Sequence, residues 1–446
     1  MSAVAGQPAA TTTVSQAVAE VLAGLLGTVS GERMAATVAT LASGPFTGRR
    51  VGSAGGAAGR AWLAQHLADL GATVTLEPFQ VRFVPEVYTV PTVLWHDGST
   101  TRRLAFGRDV AVHLASADQP LVQRGDLAVA GAGDPAGRWL LVPAGMTLFD
   151  AYGHAHGALG LLFGRGVDAD GWHYTMLAGP NPGPLPILTL DTATHTTLLA
   201  AAQTGGWLAG NTPIRRLDVP ATNLHGTWPT TTPTDSPTDS SAVADGDVGT
   251  DAGTEVLLTA HYDGVGDHPG LRQPAAADNG SGVAVVLEAA RVLAGHLPGG
   301  TRLSIALLDA EEAGALGSAH HAAQLRATGA TPLVINVDGA GNLHQAAAVE
   351  AGGPAHALLA ALDQAGRHTG LPLVAGPVAS DNRRYAAAGL AAVGIGAGMA
   401  GYHSPADTAD RVETATLTAV AKLVVATSWL ASTDPATLQS LIGDKR

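Results

Sequence analysis

Five residues far apart along the chain, His261, Asp278, Glu312, Asp338 and His403, stand where apolar runs give way to short polar islands. His261 ends the run "VLLTAH", and Tyr262 and Asp263 follow it. Asp309, Glu311 and Glu312 follow "LSIALL", and Asp338 follows "LVINV". His403 comes just after the glycine-rich stretch 385–402, and Asp278 lies in "ADNGSG" ahead of a helical pattern that begins near Ser281. Each has a plain structural explanation. A lone strand-end histidine is usually packed, and paired glutamates before a helix favour the positive end of its dipole. Aspartate before glycine is a turn residue, and "ADNGSG" suits a capped helix start. Together they place two imidazoles and several carboxylates at strand ends, on what should be one rim. With no cysteine in the chain, that donor set suits Zn²⁺, Mn²⁺ or Co²⁺. Five donors are too many for one tetrahedral zinc, but they fit two metals sharing a bridging carboxylate, roughly 3.5–4 Å apart. Hydrolysis at such a site also needs a general base, and adjacent glutamates can divide the tasks of ligand and base.

The elements that would hold these residues alternate. Strands are predicted at 255–260, 302–308, 332–337 and 390–395, and helices at 281–295, 314–328, 354–367, 381–388 and 414–431. This alternation predicts an α/β fold with a mixed, mostly parallel sheet flanked by helices on both faces. In such sheets functional groups gather beyond the carboxyl ends of the strands. Nearer the N-terminus, residues 14–43 carry helical apolar spacing, 58–71 reads as a helix and 72–79 as a strand. From about 85 to 215, short strands alternate with Gly and Pro turns, as in a β-rich inserted module. The expected organisation is therefore 1–84 as the N-terminal part of the main domain, 85–215 as the insertion and 216–446 as the remainder. Residues 1–12 read as a frayed end, and 228–253, rich in Thr, Pro, Ser and Asp, as a flexible surface loop. No candidate ligand lies in 85–215, so the insertion is expected to fold apart from the chemistry.

At 446 residues the chain exceeds one ordinary core. Its formal charge of −13 argues against nucleic acid or an anionic membrane as a main partner. No serine has the glycine spacing of a nucleophile elbow, and the glycine runs lack the lysine of a phosphate loop. The histidines of "AYGHAHG" and "SAHHA" lack clustered carboxylates and read as structural. Residues 385–402 are uncharged and long enough to span a bilayer, but their glycines favour a buried strand with loops. No basic region opens the N-terminus, so a cytoplasmic location is expected.

At these residues the chain resembles the co-catalytic dizinc exopeptidases, the bacterial leucyl aminopeptidase and aminopeptidase Y type of metallopeptidase family twenty-eight. The resemblance rests on "HYD", "ADNGSG", "EEAGALGS", "INVDGAG", "SDNRRY" and "YHSPADT", in that order, with "GRRVGSAGGAAGRAWLAQHLADLG" as the lead-in. The stretches "GRWLLVPAG", "HGALGLLFG" and "LPILTLD" resemble a protease-associated domain. The resemblance implies the zinc exopeptidase fold and two Zn²⁺, for which Mn²⁺ or Co²⁺ are possible substitutes. His261 and Asp338 would bind one ion, Glu312 and His403 the other, and Asp278 would bridge them. Glu311 would be the general base, Asp263 would orient His261, and Tyr402 would polarise the scissile carbonyl. The 278–279 peptide is often cis in the family. Family members often have Asp where this chain has Ala277, and His where it has Asn382. The activity implied is aminopeptidase action on peptides with a free N-terminus, through a water activated by two metals. Alternatives on the same core are a carboxypeptidase or dipeptidase, with Arg383 or Arg384 meeting a substrate carboxylate, and a glutaminyl cyclase. A non-enzymatic alternative is a receptor-like protein. Family members are often secreted.

Overall fold

The computed structural model describes residues 19–230, 254–298 and 300–433. The expected frayed 1–12 lies outside the described residues, and so does the loop expected at 228–253 apart from its first three residues, where Trp228 is instead buried and donates to Leu70 O.

Eight strands form the larger sheet: β1 (Thr73–Val87), β2 (Ile214–Thr227), β3 (Glu255–His261), β4 (Arg302–Leu308), β5 (Leu333–Val337), β6 (Ala347–Gly352), β7 (Leu373–Ala375) and β8 (Ala392–Gly396). Their spatial order is β1-β2-β4-β3-β5-β8-β6-β7. The centre is parallel, with β4, β3, β5 and β8 side by side, while β1/β2, β2/β4 and β6/β8 are antiparallel. The central strands are apolar on both faces because both are covered. Val256, Leu258 and Ala260 face a core shared with α1 (Gly31–Leu41), α2 (Ala54–Asp69), α3 (Gly282–Leu293), α5 (His356–Thr369) and α7 (Thr414–Ala431). Leu257 and its neighbours Ala306, Leu308 and Val334 face α4 (Leu316–Thr328) and α6 (Asn382–Ala387).

Each predicted strand and helix from 254 onward is present, shifted by a few residues at its ends. Two features differ from expectation. The strand read at 72–79 runs on to Val87, because β2 pairs with it from Thr73↔Thr227 to Val87↔Ile214. Much of that ribbon is solvent-facing, so periodicity did not reveal its length. The strands β6 and β7 were not anticipated; β7 is a three-residue edge strand. The segment 385–402, expected as a buried strand with loops, is the end of α6, a turn, the buried strand β8 and the loop after it. Among the described residues α7 is long and apolar enough to cross a membrane, but most of it is buried in the shared core.

The β1–β2 ribbon carries a second eight-stranded sheet, built from residues 93–212, with the helices Leu148–Gly153 and Thr192–Ala202. It has apolar clusters of its own, one around Trp139 and Leu188 and another around Leu140 and Leu161. The molecule is thus an α/β fold with two mixed sheets flanked by helices.

Candidate metal centre

The parallel register brings the candidates together. His261 ends β3 opposite Leu308, the last residue of β4, and Asp338 follows the end of β5. His403 lies in the loop after β8, and Glu312 on the turn between β4 and α4. His261, Asp278 and Asp338 form one group of converging donor atoms, and Asp278, Glu312 and His403 a second. Asp278 belongs to both, with its two oxygens divided between them. Oδ1 lies 3.4 Å from His261 Nε2, and Oδ2 lies 3.0 Å from His403 Nε2. His261 Nε2 is also 3.4 Å from Asp338 Oδ1, and His403 Nε2 is 2.9 Å from Glu312 Oε2. All five residues are buried, and Glu312 Oε1 has no hydrogen-bond partner.

The segment around Asp278 is held from several sides. An irregular turn, Ala276–Ser281, with a cis peptide between Asp278 and Asn279, leads into α3. Asn279 accepts hydrogen bonds from the N–H groups of Gly282 and Gly339 and donates to the Val337 carbonyl. It thereby ties the start of α3 to the end of β5, and so sets Asp278 against Asp338. Ser281 donates to Ala277 O and accepts from Ala340 N. A Cβ on Gly282 would sit 2.2 Å from Asn279 Oδ1 and 2.6 Å from Val337 O, so the close approach requires glycine there.

Asp263 holds more than the histidine. Its Oδ1 is 3.4 Å from His261 Nδ1. Its two oxygens also accept from the backbone N–H groups of Glu311 and Glu312, at 3.1 and 3.2 Å. One carboxylate therefore fixes both the first imidazole and the pair of glutamates. Asp309 is elsewhere: Tyr262 Oη lies 2.9 Å from its Oδ2, and the carboxylate accepts from Thr222 N. Tyr402 is more than one-third exposed, and its ring stacks on His403 with centroids 3.7 Å apart.

Electrostatics supplies the test of whether cations fit here. Asp263, Asp278, Glu312, Asp338, Asp381 and Asp407 are all buried close together, facing His261, His403 and the guanidinium of Arg49. Burial pushes the Glu312 carboxyl up to about 7, with His403 opposing and Asp278 adding to the rise. Burial also raises Glu311 well above the carboxylate range, against His261 and with Asp338 and Asp381 contributing. Burial alone would depress His261 and His403, yet surrounding carboxylates hold both well above the ordinary imidazole value. A buried surplus of negative charge is costly unless cations share the space. Two histidine–carboxylate groups around one carboxylate, with a free Glu312 oxygen, suit them.

Three supports were not anticipated. Asp407 accepts from the N–H groups of Ala277 and Asp278, at 2.6 and 3.0 Å, and so holds the turn that presents the bridge. Arg49 is fully buried and donates to the carbonyls of Leu41, Tyr262, Pro274 and Ala275. Both residues stand inside stretches already singled out, "YHSPADT" and "GRRVGS", but nothing in their local pattern gives their partners. The third support corrects an expectation, because the insertion does not stand apart from the site. Thr175 N donates to His403 O at 2.9 Å, and Met176 Sδ lies 3.1 Å from His403 Nδ1. Ser404 Oγ donates to Asp168 Oδ2 at 2.7 Å. His403 itself sits at φ 54°, a left-handed conformation unusual for a side chain. Contacts from the insertion grip it on the side away from Asp278 and Glu312.

Known proteins resemble this chain in sequence and in fold. Residues 245–428 match the model of peptidase family M28. Aminopeptidase YwaD of Bacillus subtilis is 47% identical over 66 residues, which amount to 15% of this chain and 13% of that protein. The fold matches a zinc aminopeptidase from Bacillus subtilis at a TM-score of 0.66 and 20% identity, covering 90% of this chain and 94% of the other. It matches an aminopeptidase from Aneurinibacillus sp. strain AM-1 at 0.64 and 19%, covering 91% and 95%. It also matches a peptidase M28 precursor from Shewanella amazonensis at 0.66 and 16%, covering 96% and 98%.

Proposed function

We propose, from the match of residues 245–428 to the model of peptidase family M28, that this chain is a zinc-dependent aminopeptidase that removes N-terminal residues from peptides. The observation that carries the reading is Asp278, whose two oxygens face separate histidine–carboxylate groups. In this reading His261 and Asp338 would hold one zinc, Glu312 and His403 would hold another, and Asp278 would be shared between them. Bound zinc supplies Lewis-acid polarisation of the peptide carbonyl and acidifies water. Glu311 takes the proton of the attacking water and delivers it to the leaving amine. Asp263 is a positioning residue: it fixes the Glu311 and Glu312 backbone and the ring of His261. Tyr402, stacked on His403 with its hydroxyl pKa raised by burial and nearby carboxylates, donates to the carbonyl oxygen as charge develops there. A substrate ammonium is attracted to the carboxylates of Glu311 and Asp338, and a neutral acetyl cap is not.

The rival carboxypeptidase reading needs a free arginine. Arg383 pairs with Glu350 at 2.9 Å, and Arg384 donates to Gly314 O at 2.7 Å. The test is a set of short peptides, free and N-acetylated, with product masses read alongside metal content. Single N-terminal residues should be released, and the capped peptides should react at least about tenfold more slowly, a gap of roughly 1.4 kcal/mol. Release from the carboxyl end, or equal rates for both sets, overturns the aminopeptidase reading. Full turnover by exhaustively metal-free protein overturns the zinc reading as well.

A further inference from the structure

Between the second sheet and the β1–β2 ribbon lies a cavity of about 270 Å³. None of the residues proposed for the metal centre lines it. Its walls are apolar, with Val87, Leu114, Ile214 and Leu271 among them, and no Asp or Glu lines it. Its polar lining is basic or neutral, with Arg165, His113, His173 and His268 among it. Two of these histidines carry buried polar atoms without a partner, His173 Nε2 and His268 Nδ1, and His173 is only 4% exposed. An orphaned buried polar atom costs about 1–3 kcal/mol, so something that completes it is worth seeking. Arg165 is exposed beside Tyr174, its guanidinium 6.0 Å from the ring centre, and forms no ion pair among the described residues. Burial depresses His113 and His173, and brings His268 to about 4, so these rings are neutral at neutral pH. Arg165 is then the full charge of the lining. The nearby Glu86 is already engaged by Arg50 and Arg215.

We propose that this cavity is a second ligand site, distinct from the metal centre, for a small apolar monocarboxylate. The hydrocarbon body fills the apolar chamber, the carboxylate meets Arg165, and two neutral rings donate to its oxygens: His113, whose Nδ1 already accepts from Ala115 N and whose Nε2 therefore carries the proton, and His268. An ammonium or a zwitterion is disfavoured because no carboxylate lines the cavity. The volume lies just below the usual pocket range, so the ligand is a small one. Met176 is the shared wall: it lines the cavity while its sulfur lies 3.1 Å from His403 Nδ1.

The test is calorimetric titration of the zinc-loaded protein with octanoate, octan-1-ol and octylamine. Octanoate should bind at one site, at least about tenfold tighter than the alcohol or the amine, a difference of roughly 1.4 kcal/mol. Arg165→Gln should weaken octanoate about tenfold and leave octanol unchanged, as expected for loss of a charge-assisted contact. Ala178→Phe, which fills the cavity from its wall, should remove both. Saturating acetohydroxamate, a small metal ligand, should leave octanoate binding intact. Absence of octanoate binding, equal affinity in Arg165→Gln, or displacement by acetohydroxamate overturns the proposal. Peptide turnover is read separately, so a failed titration leaves the peptidase reading untouched.

Discussion

The adjacent glutamates are held by the same carboxylate yet have different surroundings. Glu312 points at His403 and is buried, while Glu311 is partly open to solvent. Glu311→Gln is therefore expected to keep both metals and lose about 10²–10⁴-fold in rate, the usual contribution of a positioned base. Glu312→Gln is expected to lower metal content. Metal analysis and kinetics on the two variants decide it, and the opposite pattern reverses the assigned roles. His403 offers a second case. Ligating histidines usually donate their other N–H to a carboxylate or carbonyl, whereas here the neighbour is a thioether, a weak acceptor. Met176 then acts mainly by packing. Met176→Ala is expected to weaken zinc by about tenfold, the lower end for loss of a group that orients a ligand. Met176→Leu should retain most of the affinity, and competition against a chelator measures both.

Among the elements, α4 shows how packing sets protonation. His321 is buried beside His225, with ring centroids 4.4 Å apart, and its Nδ1 lies 2.9 Å from Tyr385 Oη. Burial, reinforced by His225, brings its pKa down to about 3. The folded state therefore holds this ring neutral while the unfolded chain protonates it near 6.5. The unfolded state binds the extra proton, so stability is fully present above about pH 6.5 and falls as pH drops toward 3, by up to roughly 1.4 kcal/mol per pH unit for this ring. Denaturant midpoints between pH 7 and 4 should fall less steeply in His321→Gln than in the parent. An equal slope in both proteins removes His321 as a source of acid sensitivity.

For the whole molecule, the question is why a second sheet hangs on the ribbon. Its contacts with His403 and Ser404 make it part of the wall of the site. Replacing 93–212 by a short turn between β1 and β2 should leave the larger sheet folded, since its core draws on the helices and strands outside that segment. The same deletion should weaken zinc at least as much as Met176→Ala, because it removes Thr175 and Asp168 as well. Circular dichroism with metal titration separates the outcomes, and a folded deletion with unchanged zinc affinity shows the second sheet to be dispensable for the metal centre.

The strand–helix alternation after 254 was legible in the sequence because two-sided burial writes continuous apolar strands and amphipathic helices. The candidate ligands were legible because polar residues interrupting such strands occur at their ends, and the order of the short motifs matched a known pattern. Tertiary structure decided what periodicity does not carry. It set the length of the solvent-facing β1–β2 ribbon and paired the short strands β6 and β7, whose partners are distant in sequence. It aimed the two oxygens of Asp278 at different histidines. It brought Arg49 and Asp407 under the Ala275–Asp278 turn, and it laid Met176 of the insertion against His403. Each of these is a contact between residues separated by tens to hundreds of positions. Such a contact is fixed by how the layers pack, and no local pattern of residue types records it.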